Sequence, residues 1–214
     1  MRKWLSEVVG TALIVAAVVG SAFMANDLSD DSLLQLLVNA IATSLTLLVV
    51  ISILAPISGA HFNPVVTIAL ALEKKISWRL VPGYVVAQLS GGFVGVSLAN
   101  LMFTNNLFEL SSKDRALTAN YLGELIATSV LVAIILMAIE QSRGNALAYL
   151  VPAWIGSAYF MTVSTSFANP AVTLARSFTD NFSGINPESA AIFIIVQLVG
   201  GGLGVLAARF FSRK

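Results

Sequence analysis

The chain has 214 residues, 57% of them hydrophobic and 11% charged, with a net charge of +1 and a mean hydropathy of +0.86. A soluble domain carries roughly 25% charged residues, so most of this surface must face a lipid bilayer, and without a basic stripe there is no case for nucleic acid as a partner. The lack of cysteine and the single histidine exclude disulfides and thiolate nucleophiles and leave no side-chain set for a metal, a cofactor or an enzyme.

The first apolar run covers 4–25, behind Arg2 and Lys3. It is long enough to span at about 20 residues per crossing, and it reads as the first helix of the mature protein rather than a cleavable targeting peptide. Further runs follow at 33–55, 82–103, 118–140, 146–163 and 189–211. Stretches such as Leu131 to Met137 do not alternate, which argues against a β-barrel. The expectation is an all-α membrane protein with six transmembrane helices. Two shorter apolar stretches, 63–72 and 169–178, each open with Asn-Pro. As helices of about ten residues they cover about 15 Å, half a bilayer. Proline suits the first turn, where no N–H is needed, and the preceding asparagine sits where a cap belongs.

With an even number of spans both termini share a side. That side holds nine basic residues (Arg2, Lys3, Lys74, Lys75, Arg79, Arg143, Arg209, Arg213 and Lys214) against three elsewhere (Lys113, Arg115 and Arg176). The positive-inside rule then places both termini in the cytoplasm. The short loops and tails point to a multi-pass protein of a prokaryotic inner (cell) membrane.

The halves of the chain, about 1–110 and 111–214, repeat one another. Ser58-Gly-Ala-His-Phe-Asn-Pro-Val-Val-Thr67 aligns without gaps with Ser164-Thr-Ser-Phe-Ala-Asn-Pro-Ala-Val-Thr173. The segment around Glu7 matches that around Glu124, and Gln88, Gly91, Gly92 and Gly95 match Gln197, Gly200, Gly201 and Gly204. Three spans are an odd number, so the second copy is inverted, and sites in such folds form near the midplane where broken helices meet. Irregular backbone at that depth survives only buried in protein or lining a watery cavity. The repeats therefore build a single transmembrane channel domain. The half-helix N-termini bring partial positive charge and unpaired N–H groups to its centre, and Asn63 and Asn169 add amide donors. Such a site accepts small uncharged solutes and repels cations. The Gly91/Gly95 and Gly200/Gly204 pairs are read as close helix crossings.

On these motifs the sequence resembles the aquaporin (major intrinsic protein) family over essentially its whole length. The paired signatures stand here as Asn63-Pro64-Val65 and Asn169-Pro170-Ala171. The resemblance implies a right-handed six-helix bundle with two half-helices, and a homotetramer with one pore per subunit. It also implies that Glu7 and Glu124 accept hydrogen bonds from the half-helix loops; an interfacial carboxylate is the alternative. Val65 replaces the family alanine, and a bulkier apolar lining is expected there. His61 is either a structural histidine or part of the cytoplasmic mouth of the pore. A four-position outer filter carries onto Thr43, Ser157, Ser166 and Val172, with none of the aromatic, histidine and arginine groups of water-selective members. That substitution predicts a wide filter passing water and larger neutral solutes: glycerol, urea, hydrogen peroxide or arsenite. Arg176, one turn beyond Val172, either pairs with Asp180 or reaches back to line the external vestibule. The competing function is a secondary transporter on an inverted-repeat fold, which would be expected to place coupling charges at the midplane.

Overall fold

The computed structural model describes residues 1–212; Arg213 and Lys214, two of the basic residues counted on the terminal side, lie outside the described residues. In chain order the α-helices are α1 (Arg2–Leu28), α2 (Ser32–Ser58), α3 (Pro64–Leu72), α4 (Val81–Met102), α5 (Thr118–Glu140), α6 (Leu147–Met161), α7 (Pro170–Ala175) and α8 (Pro187–Ser212). Local chemistry marks their ends. Asp31 Oδ1 accepts from the N–H groups of Leu33 (2.8 Å) and Leu34 (3.0 Å) to start α2, and α2 stops at Gly59, whose φ of +90° suits glycine. Asn186 Oδ1 accepts from Ser189 N–H (2.8 Å) ahead of α8, whose first residue is Pro187.

Among the described residues, five helices have the length and apolar character of membrane spans: α1, α2, α5, α8 and α4 with its leading 3₁₀ turn. The sixth predicted span is shorter than expected. Residues Leu147–Met161 make 15 helical residues, about 22 Å at 1.5 Å per residue, preceded by a single 3₁₀ turn at Gly144–Ala146. Its C-terminal end is drawn off early because Thr162 turns to extended backbone (φ −113°, ψ 141°) to begin the loop toward α7.

Ion pairs between Lys75 and Glu140 (3.1 Å) and between Arg209 and Glu73 (2.8 Å) tie the α3–α4 connection to the ends of α5 and α8. They mark one face of the bundle, here called the terminal face. At the other face Ser112 donates to Asp180, joining the α4–α5 and α7–α8 connections.

The repeat is visible in the packing. A Cβ on Gly91 would lie 2.4 Å from Val8 O and one on Gly95 2.3 Å from Ala12 O, so α4 crosses α1 backbone to backbone. In the second half the equivalent distances are 2.9 Å from Gly200 to Leu125 O and 2.4 Å from Gly204 to Ser129 O, where α8 crosses α5. Small residues at such crossings are how helices pack where lipid removes most of the hydrophobic drive. The interior is lined by Val15, Val19, Val96 and Val132, while Leu45, Ile53, Leu98 and Leu206 are exposed on the outside, the distribution of a lipid-facing surface. The half-helices α3 and α7 lie inside this shell, each packed against both α4 and α8.

Candidate solute pathway

Each half-helix is reached through a loop of strained backbone. Ala60 and Phe62 have φ of 50° and 49°, and their repeat equivalents Ser166 and Ala168 have 52° and 47°. A non-glycine residue in the left-handed region costs roughly 1–2 kcal/mol, so something must hold these loops. In the first loop it is Glu7, fully buried. Its carboxyl accepts from His61 N–H (3.0 Å), Phe62 N–H (2.7 Å), Ser58 Oγ (2.6 Å) and Gln88 Nε2 (2.8 Å). In the second loop Glu124 accepts from Phe167 N–H (2.9 Å), Ala168 N–H (2.8 Å) and Gln197 Nε2 (2.6 Å). Both glutamines also donate to the half-helix that follows, at Thr67 Oγ1 (3.0 Å) and Thr173 Oγ1 (2.8 Å). Neither glutamate is interfacial. With the N–H groups turned to the carboxyls, the carbonyls of Gly59, Ala60 and His61, and those of Ser166 and Phe167, accept from no described residue and belong to residues that line the central cavity.

The half-helices meet through their asparagines. Asn63 Oδ1 caps α3 by accepting from Val65 N–H (2.9 Å), and Asn63 Nδ2 donates across to Ala168 O (2.7 Å). Asn169 Oδ1 accepts from Ala171 N–H (3.0 Å) and Val172 N–H (3.4 Å), and its Nδ2 donates to Phe62 O (2.8 Å). An amide NH₂ has two hydrogens; one of each pair is spent locking the loops together, and the second is left for the cavity that both asparagines line.

That cavity has a volume of about 700 Å³ and runs from Asn145 and Leu147 at the terminal face, past His61, to Thr43, Tyr159, Ser166, Val172 and Arg176 on the other side. His61 stacks on Tyr84 (centroids 4.3 Å apart) and its Nδ1 lies 3.0 Å from Thr67 Oγ1. His61 is part of the cavity lining, although sequence reasoning had no signal for the Tyr84 support. Two expectations from the sequence are corrected. Val65 is not part of the lining: its side chain points outward, where a Cβ on Gly201 would sit 2.3 Å from Val65 Cγ1. Ala171, Pro64 and Pro170 likewise stay out of the lining.

The second correction concerns Ser157. It is exposed on the outside of α6, because Val151, Ile155 and Tyr159, spaced by one turn each, form the inward face. Tyr159, 2% exposed, occupies the cavity wall instead, with its hydroxyl 3.1 Å from Thr43 Oγ1. An aromatic group is therefore present in the wall at this end of the cavity. So is a guanidinium. Arg176 is 2% exposed and does not pair with Asp180, whose carboxylate takes Ser112 N–H (2.9 Å) and Ser112 Oγ (3.0 Å). Arg176 Nε donates to Ser183 O (2.6 Å), its Cζ lies 3.4 Å from the centroid of Phe167, and the residue is part of the cavity lining. Ser166 Oγ is buried there without a protein partner. The lining of the far end of the pathway thus combines Arg176, Thr43, Tyr159 and Ser166 with the apolar Val172, Val18 and Ile155.

The model of the family described as Major intrinsic protein matches residues 1–207. The chain is 47% identical over 199 residues to the aquaglyceroporin AqpS of Rhizobium meliloti, covering 93% of this chain and 85% of that one. It is 28% identical to aquaporin Z of Bradyrhizobium diazoefficiens, over 100% of this chain and 95% of the relative. The X-ray structure of the aquaglyceroporin from Plasmodium falciparum superposes with a TM-score of 0.73 at 24% identity, over 99% of this chain and 95% of the other, a likeness of fold. With two broken helices meeting at asparagines inside a bundle of this fold, and with the family model spanning nearly the whole chain, the protein belongs to the major intrinsic protein family and is a passive membrane channel.

Proposed function

We propose that the channel conducts water together with larger neutral solutes, of the class of glycerol, urea, hydrogen peroxide or arsenite. The observation that carries this reading is the exchange of positions at the outer constriction. Val172 stands directly after the Asn169-Pro170-Ala171 motif, and the guanidinium comes from Arg176, one turn further along. The space beside Val172 is thereby opened and kept apolar, while Arg176, Thr43, Tyr159 and Ser166 still offer hydrogen bonds to a polar solute as its water shell is removed. A solute with hydroxyls along one edge and carbon on the other fits such a wall. The name of the Rhizobium meliloti relative, an aquaglyceroporin, supports a filter wider than water.

In this reading Asn63 and Asn169 donate to the passing solute at the midplane, the half-helix N-termini repel cations, and His61 lines the cytoplasmic mouth. Glu7 and Glu124 hold the loops that present the carbonyls. The two repeats, 1–110 and 111–214, form one channel domain, and four copies associate in the inner membrane with a pore in each. The basic residues of the terminal face put both termini in the cytoplasm.

Stopped-flow light scattering on proteoliposomes with a panel of solutes tests the proposal. Comparable water and glycerol permeability is expected, and Arg176→Ala should shift their ratio sharply. Water outrunning glycerol and arsenite by orders of magnitude would overturn it.

A further inference from the structure

Arg115 lies in the connection between α4 and α5, yet only 8% of its surface is exposed. Its side chain reaches across to the connection between α7 and α8, where Nε donates to Gly184 O (2.8 Å) and Nη2 to Phe182 O (2.8 Å). The carbonyl between them, Ser183 O, is the one that receives Arg176 Nε at 2.6 Å. Three consecutive carbonyls are thus held by two arginines. Both guanidiniums also lie over the Phe167 ring, with Cζ-to-centroid distances of 3.4 Å for Arg176 and 5.0 Å for Arg115. Among the described residues neither arginine forms an ion pair. Burial lowers Arg115 to about 10, so it remains a cation at neutral pH. Its backbone is fixed in turn, with N–H donating to Ser189 Oγ (3.1 Å) at the start of α8 and the carbonyl accepting from Asn120 Nδ2 (2.9 Å) in α5.

Two buried like charges repel, and burying them is costly unless each finds firm acceptors. An arginine whose only task was to anchor a surface connection would not need to bracket the carbonyl that positions a second arginine. We propose that Arg115 is a positioning residue for solute selection: by gripping Phe182 O and Gly184 O it fixes Ser183 O, and through it the height and tilt of the Arg176 guanidinium in the outer constriction. Lysine cannot replace it, because an ammonium presents a point charge rather than a fork able to reach two carbonyls at fixed geometry.

This inference rests on Arg176 lining the filter, so the experiment separates the two. Wild type, Arg115→Lys, Arg115→Met, Arg176→Ala and the Arg115→Met/Arg176→Ala pair are reconstituted. The ratio of glycerol to water permeability, which does not depend on the amount of folded channel, is measured for each. Arg176→Ala and Arg115→Met should each move the ratio by at least about threefold, and the pair should match Arg176→Ala alone, the non-additivity of residues acting through one group. Arg115→Lys, which keeps the charge should the methionine variant fail to fold, should move the ratio in the same direction. An unchanged ratio in Arg176→Ala defeats the filter reading itself. A changed ratio there with wild-type ratios in the Arg115 variants, or additive effects in the pair, overturns the role of Arg115 and leaves the filter reading standing.

Discussion

Val65 and Gly201 offer a test of how the half-helix is seated. Replacing Gly201 by alanine places a Cβ 2.3 Å from Val65 Cγ1, about an ångström inside ordinary contact, so one side must yield. Val65 cannot turn away easily: it is 2% exposed, and a β-branched side chain in a helix has essentially one χ1 rotamer. Overpacking of this kind costs about 1–3 kcal/mol. Val65→Ala alone removes two methyl-sized groups from a closed interior and should cost about 1–2 kcal/mol. Together the changes are complementary, because the methyl added at Gly201 enters the space the valine vacates. The pair should therefore be more stable than the sum of the singles by about 1–3 kcal/mol, read as the thermal midpoint of the purified protein in detergent. Water flux gives a second readout, since Val65 N–H is the group that Asn63 Oδ1 caps at 2.9 Å and a displaced Val65 carries Asn63 with it. Gly92 is the built-in contrast. Its Cβ would meet Ala171 O, a backbone atom, at 3.0 Å, so Gly92→Ala should gain little from shortening the Ala171 side chain. Strictly additive losses in the Gly201→Ala/Val65→Ala pair, or a Gly201→Ala channel as stable and conductive as wild type, would refute the reasoning.

The other expectations follow from the same geometry. Glu124→Gln replaces one acceptor oxygen by a donor opposite Phe167 N–H, Ala168 N–H or Gln197 Nε2; a loss of about 1–3 kcal/mol in unfolding free energy is expected for a buried donor left unmet, together with reduced flux per folded channel. Glu7→Gln should be the more damaging of the two, because that carboxyl satisfies four donors, Ser58 and Gln88 among them. Tyr159→Phe removes the hydroxyl 3.1 Å from Thr43 Oγ1 and should change the glycerol-to-water ratio, whereas Ser157→Ala, on the outer face of α6, should leave it at the wild-type value in the same assay. A response at Ser157 with none at Tyr159 would return the filter to the position the family resemblance implies.

The contrast between those two residues shows what a sequence of this kind can convey. Asn63 and Asn169, Glu7 and Glu124, and Gln88 and Gln197 were legible because each chemistry occurs twice. Duplication at matched places separates a requirement of the fold from an ordinary helix cap or a stray carboxylate. The structure gives each pair the same partners: loop N–H groups for the glutamates, a half-helix threonine for the glutamines, the opposite loop's carbonyl for the asparagines. Nothing comparable phases α6. A soluble helix announces its buried side by polarity, but this one is apolar on every face, and its inner residues Val151, Ile155 and Tyr159 differ little in kind from outer ones such as Tyr149 and Phe160. Val65 failed for a related reason. A motif fixes which residues recur but not which way each points, and the outward direction of Val65 depends on Gly201, far along the chain. The sequence leaves Arg176 open between Asp180, four residues on, and the vestibule; in the structure Asp180 accepts from Ser112 of another connection, and Arg176 Nε donates instead to the Ser183 carbonyl, seven residues on.

These corrections act together on the filter. Read from the sequence, the four filter positions hold neither an aromatic nor an arginine, with Arg176 left open as a vestibule group; in the folded chain Tyr159 and Arg176 both line that end of the cavity. On the proposed reading the constriction is re-proportioned rather than emptied. Selectivity would then depend less on which residues occupy the family's four positions than on how firmly Arg176 is held, and that hold lies outside the motif, in the carbonyl of Ser183.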